Sequence, residues 1–146
     1  MEQKNMKTPE QIGTLVRKAF PGESGAFRPC AWFDERLDCI RVVARDCSVL
    51  ETRLSDRLTI LEDNYYPEPG RTKVVGFTLK GARHFCNENG LSLSTSIKMS
   101  ALLDAILANF PEEVIKVCVD FIFRPLVVDK EIEQVDIPDT ELQAAY

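Results

Sequence analysis

From residue 39 to residue 80, apolar and polar side chains alternate in short runs separated by turn-forming residues. A period of two places successive side chains on opposite faces of a strand. In 39–45, Ile40, Val42 and Ala44 fall on one face, with Arg41 and Arg45 on the other. In 48–54, Leu50 and Leu54 oppose Glu51 and Arg53, and in 57–63, Leu58 and Ile60 oppose Arg57 and Thr59. Asp46-Cys47 breaks the first run, and Ser55-Asp56 supplies a turn. Residues 64–71, with Pro67, Pro69 and Gly70, read as a long hairpin loop. The chain returns as a strand over 72–80, where Val75, Phe77 and Leu79 alternate with Val74, Gly76 and Thr78. Residues 29–33 add a further strand, turned into the next by 34–38. The pattern predicts an antiparallel β-meander of four to five strands with one apolar and one charged face.

Helical spacing takes over on both sides. Over 8–20, Thr8, Pro9 and Gln11 open a helix whose Ile12, Leu15, Val16 and Phe20 form one stripe, predicted to pack on the apolar face of the meander. Residues 81–89 form a short helix ended by Gly90 in a left-handed cap. Ser96 is placed to cap a helix over 97–109, where Met99, Leu102, Leu103, Ile106, Leu107 and Phe110 recur at helical spacing. Residues 111–123 fit both periods. Ile115, Val117, Val119, Phe121 and Phe123 alternate as in a strand, while Pro111-Glu112-Glu113 is a helix opening and Glu113, Lys116, Asp120 and Arg124 line one helical side. The segment is read as a helix ended by Pro125. The fold class is therefore α+β, a meander sheet packed against helices from the N-terminal and C-terminal segments. One domain spans 1–146: helix 9–20, meander 29–80, helical part 81–124 and a partly disordered acidic tail 127–146, with an edge strand at 132–137.

Phe33-Asp34, then Asp38 and Ile40, then Ser48, Glu51, Asp56 and the closing Val75-Gly76-Phe77 resemble a family of small, uncharacterised bacterial β-meander domains. The shared pattern is an aromatic–Asp pair, a second Asp four residues on, and a final Val-Gly-hydrophobic strand. The likeness is confined to 33–80, and departs from the pattern in the proline-rich 65–71 and in everything after Lys80. It implies a fold and no activity.

Composition narrows the picture further. A chain of 146 residues suits a single domain. No apolar run is long enough to cross a membrane, and 1–7 has no apolar signal core, so a cytoplasmic protein without membrane contact is expected. Cys30, Cys39, Cys47, Cys86 and Cys118 are scattered and include no CxxC, which reads as reduced thiols behaving as small hydrophobes. From 127 onward, Asp129, Glu131, Glu133, Asp136, Asp139 and Glu141 stand against Lys130 alone, which accounts for the whole net charge of −5.

Candidate chemistry is sparse. His84 is the single histidine, which argues against a Ser–His–Asp triad or a multi-histidine metal site, and Cys86 lies two residues away on another helical side. Asp34, Glu35 and Asp38 cluster in a turn but lack the spacing of a calcium loop. No GxxxxGK or GxGxxG is present. No catalytic residue, metal or cofactor is assigned. Arg41, Arg45, Arg53 and Arg57 share one strand face and form a candidate patch for phosphate or carboxylate groups. The acidic overall balance weighs against nucleic acid and favours a solvated face. Tyr65 and Tyr66, on the long loop, are candidate partner contacts. The apolar richness of 111–123 predicts a homodimer with Phe121 or Phe123 in its contact. The reading favoured is a small cytosolic interaction or regulatory protein, antitoxin-, immunity- or inhibitor-like. The alternatives are nucleic-acid or phosphorylated-ligand binding through the arginines, and an enzyme with an unannounced site.

Overall fold

A computed structural model describes residues 27–64 and 73–138. The expected helix over 8–20, the loop bearing Tyr65 and Tyr66, and the end of the acidic tail lie outside these residues. Strands β1 (Cys30–Asp34) and β2 (Cys39–Val43) form a hairpin, and β3 (Val49–Arg53), β4 (Leu58–Asp63) and β5 (Val74–Lys80) follow as an antiparallel meander. Helix α1 (Ala82–Glu88), the short strand β6 (Ile97–Lys98), helix α2 (Met99–Asn109), helix α3 and the short strand β7 (Gln134–Val135) complete the order. Helix α3 is one continuous run: Glu113–Cys118, a π-helical turn Val119–Phe123, and Arg124–Asp129. The protein is an α+β fold, with a five-stranded antiparallel sheet backed by helices.

The alternation in the sequence decides which face the helices cover. Pairing aligns Phe33, Ile40, Leu79 and Leu58 in one row, and Ala31, Val42, Phe77 and Ile60 in the next. All eight are buried. They form one core with Ala82, Phe85 and Cys86 of α1, Met99, Leu102, Leu103 and Ile106 of α2, and Ile115, Cys118, Val119, Phe123 and Val127 of α3. The Phe77 and Phe123 rings stack at 4.4 Å between centroids, which fixes α3 against the central strand. Full burial of such side chains contributes about 1.5–3 kcal/mol each. Leu50, expected in this apolar set, is exposed on the edge strand β3.

The strand order is β1-β2-β5-β4-β3. Strands β2 and β3, consecutive in sequence, are thus separated by β5 and β4. Close approach is built into β5 at Gly76, where a Cβ would collide with the Val42 carbonyl. The pairing of β4 with β5 shifts register beside it, at Leu61–Glu62, and Val74 rejoins the helix-covered core. An inserted residue of this kind re-aims the side chains beyond it.

Several helix boundaries differ from those the sequence suggests. Ser96 does not cap α2: Ile97–Lys98 pairs with Val135 and Gln134 instead, and the helix opens at Met99, whose N–H donates to the Glu133 carbonyl at 2.9 Å. Pro125 does not end α3. The π-helical turn just before it widens the register, so the Arg124 N–H bonds back five residues to the Val119 carbonyl. A proline inside an α-helix removes one bond and crowds the preceding turn, and the looser turn accommodates it. The helix stops at Glu131, held at φ 57°, where Ile132 N–H donates to the Val127 carbonyl at 2.8 Å and Glu131 N–H to the Val128 carbonyl at 3.2 Å. This is a Schellman closure with glutamate where glycine is usual. The tail then returns to the sheet. Asp136 N–H donates to the Ala31 carbonyl and accepts from Phe33 N–H through its own carbonyl, each at 2.9 Å, in a parallel bridge along β1. One edge of the sheet is thereby covered, and the expected edge strand at 132–137 is realised as β7 plus this bridge.

Candidate interaction surface

Of the four arginines, Arg41 and Arg53 lie within paired strands, and Arg45 and Arg57 lie just outside them. Trp32, Arg41, Thr78, Thr59 and Arg53 form one transverse row on the face away from the helices. Arg41 on β2 and Arg53 on the edge strand β3 are three strand spacings, or ~14 Å, apart along the main chain. Strands β5 and β4 lie between the strands that carry these two arginines. Arg41 reaches across them to Glu51 at 3.7 Å, and Arg45 is held by Asp63 at 2.9 Å. Beneath the Arg41–Glu51 pair the face is not solvated. Thr59, Thr78, Leu61 and Val75 are buried, although Leu61 and Val75 lie outside the core formed with the helices. The Thr78 hydroxyl has no hydrogen-bond partner among the described residues.

The acidic turn serves structure. Asp38, at φ 51°, accepts the Arg83 N–H on its carboxylate at 2.9 Å and the Ala82 N–H on its carbonyl at 3.1 Å. It caps α1 from a distant loop, where the neighbouring Gly81 has no side chain to do so. The Arg83 guanidinium donates to the Glu35 carbonyl at 2.8 Å and lies 5.6 Å from the centre of the Phe33 ring. The carboxylates of 35 and 38 are thus turned toward a side chain of the same chain. Among the described residues no group of three or more His, Cys, Asp or Glu could hold a metal ion. His84 is exposed and pairs with Glu88 one turn on, at 3.0 Å, while Cys86 is buried. Burial, aided by Asp38, pushes the Cys86 thiol up to about 11, and burial likewise raises Cys118. Neutral buried thiols make poor nucleophiles.

Among the described residues the exposed large apolar side chains are concentrated on α3, with Phe27, Leu37 and Leu50 scattered elsewhere. Val114, Val117, Phe121 and Val128 are large apolar residues open to solvent, with Phe121 and Val128 each 76% exposed. Pro125 is exposed between them. Val117, Phe121 and Pro125 follow one another on the solvent side of the run, and the π-helical turn Val119–Phe123 rotates the two halves so that Val114 and Val128 lie toward its flanks. Charged pairs flank the stripe: Lys116 with Glu113 at 3.9 Å, and Arg124 with Asp120 at 3.4 Å and Asp104 at 2.6 Å. At the Val128 end the stripe adjoins a groove of about 360 Å³ lined by Met99, Leu103, Arg124, Val127 and Ile132, among others. Phe123, named with Phe121 as a candidate contact, is fully buried against Phe77 and belongs to the chain's own core. The sequence carries a signal for the stripe, since 111–123 is apolar nearly all round. Its full length is masked by Pro125, which reads as a helix end.

The chain matches no family model, no curated protein and no solved structure. Among the described residues no helix is long and apolar enough to cross a membrane.

Proposed function

We propose that this chain is a non-catalytic interaction or regulatory module, antitoxin-, immunity- or inhibitor-like, that works through the apolar side of α3. The observation that carries this reading is the row Val114, Val117, Phe121 and Val128, exposed together on one helix. Apolar side chains rimmed by charge, as these are, mark surfaces made for a macromolecular partner. The groups that suggest other chemistry have structural employment: Asp38 as a helix cap, Arg45 with Asp63, and Cys86 in the core. A reducing, bacterial-type cytosol suits its five free thiols and the likeness of 33–80 to small bacterial domains. A photo-crosslinking side chain at position 121, compared in the producing cells with one at the equally open Leu37, tests the reading. Discrete macromolecular adducts from 121, absent from 37 and lost on Val117→Asp, are expected. Indistinguishable adducts from the two positions would overturn it.

A further inference from the structure

We infer that the second face of the sheet is a docking surface for the chain's own residues 8–20, which lie across Thr59, Leu61, Val75 and Thr78 and not behind the sheet with the helices. The ground is burial without a described cover. Leu61 is 0% and Val75 1% exposed, and Cys39, Thr59 and Thr78 are at 3–4%. Pairing turns Cys39, Thr59, Leu61 and Thr78 away from the helices, and the register shift at Leu61–Glu62 turns Val75 the same way. Cys39, Leu61 and Val75 accordingly stand outside the core that the helices share. Residues of a sheet face do not bury one another to this degree. Leu61 stands between Glu51, half-exposed on β3, and Gly76, which has no side chain. Arg41, whose stem crosses part of the face, is itself only 31% exposed. An antiparallel sheet with one bare face shows water there, so this one is covered.

Three parts of the chain lie outside the described residues: 1–26, 65–72 and 139–146. Residues 65–72 leave and rejoin the sheet beside Asp63 and Val74, whereas Thr59 lies four residues, or ~14 Å, further down β4. Residues 139–146 hold Asp139 and Glu141, with Leu142 and Tyr146 as their large apolar side chains. Only 8–20 brings an apolar stripe of the right size, in Ile12, Leu15, Val16 and Phe20. As a helix those 13 residues are ~20 Å long, and five strands span ~19 Å. The nine residues 21–29 reach up to ~30 Å, enough to bring the chain from this face into the edge strand β1. The helix-side face, where the sequence pattern placed this stripe, is already filled by α1, α2 and α3. An apolar cover also accounts for Thr78, whose buried hydroxyl finds no hydrogen-bond partner among the described residues.

The chain carries its own reporter. Cys39 is buried on the second face, while Cys86 and Cys118 are buried in the helix-side core. The full-length protein and its Leu15→Asp, Tyr66→Asp and Leu142→Asp variants are alkylated with iodoacetamide under native conditions, and each modified cysteine is located by peptide mass spectrometry. Leu15→Asp should raise alkylation of Cys39 by roughly tenfold or more through local opening, with Cys86 and Cys118 as protected as in the parent. Tyr66→Asp and Leu142→Asp should leave Cys39 unchanged. A Cys39 that stays protected in Leu15→Asp overturns the inference. So does a Cys39 opened by Tyr66→Asp or Leu142→Asp instead, which makes the 65–72 loop or the tail the cover. If all three cysteines open together in Leu15→Asp, the milder Leu15→Ala decides. A rise confined to Cys39 upholds the inference, and an equal rise at the three, or none, overturns it. Adducts from position 121 do not enter this test, so it stands or falls apart from the reading of α3 as a partner surface.

Discussion

Single positions in this chain have several jobs that their residue type does not announce. Gly76 is needed because β5 approaches β2 too closely for any side chain, and the Val42 carbonyl occupies the place a Cβ would take. Asp38 is an acidic turn residue in the sequence and a helix cap in the fold. Thr78 has an uncompensated hydroxyl: it is buried in the middle of the sheet without a partner among the described residues. A buried, unbonded polar group costs about 1–3 kcal/mol, and an apolar group of the same shape removes that cost. Thr78→Val should therefore stabilise the protein by about 1 kcal/mol, seen as a higher urea midpoint at unchanged slope. A loss of similar size would mean that the hydroxyl is bonded after all.

Among the elements, α3 is where local rules are most strained and where the exposed surface lies. Its π-helical turn absorbs Pro125, and the run ends on Glu131 in the left-handed region. That conformation penalises any residue with a Cβ, whereas glycine adopts it freely. Glu131→Gly should raise stability by roughly 0.5–1 kcal/mol, against the usual penalty for adding glycine. Chemical denaturation measures it, and a destabilised variant would show that the Schellman closure at Val127 and Val128 is not the dominant ending. The same substitution leaves the side of α3 that carries Phe121 untouched, so any change in oligomeric mass would point away from that stripe.

At the scale of the whole molecule, the second face of the sheet sets a limit on what the arginines do. Arg41 and Arg45 already face carboxylates of this chain, and the net charge is −5. Polyanion binding draws on unneutralised positive charge and weakens with salt. Short single- and double-stranded oligonucleotides should accordingly show no anisotropy change at roughly tens of micromolar protein in low salt. Salt-dependent binding abolished by Arg41→Ala and Arg53→Ala would contradict this expectation and make this face the functional one.

The sequence by itself determined the strands, the helical character of 82–109 and the face most apolar residues take, with Val75 and Val74 exchanged at the register shift, because periods of two and near 3.6 are local properties of the backbone. Ile40, Val42, Phe77 and Leu79 point into the core as their alternation requires, and the Met99, Leu102, Leu103 and Ile106 stripe packs as its spacing requires. Only the tertiary structure decided which strands are neighbours. Placing β5 between β2 and β4 is a long-range choice, made where Gly76 permits close approach, and it separates two strands that are consecutive in the chain. Tertiary contacts also assigned Asp38 to α1 and Phe123 to the core. The exposed stripe depended on both levels. Its residues are legible at helical spacing, but α3 turns that side to solvent only because Phe77 and α2 bury the opposite one, and only a π-helical turn carries the run past Pro125 to Val128.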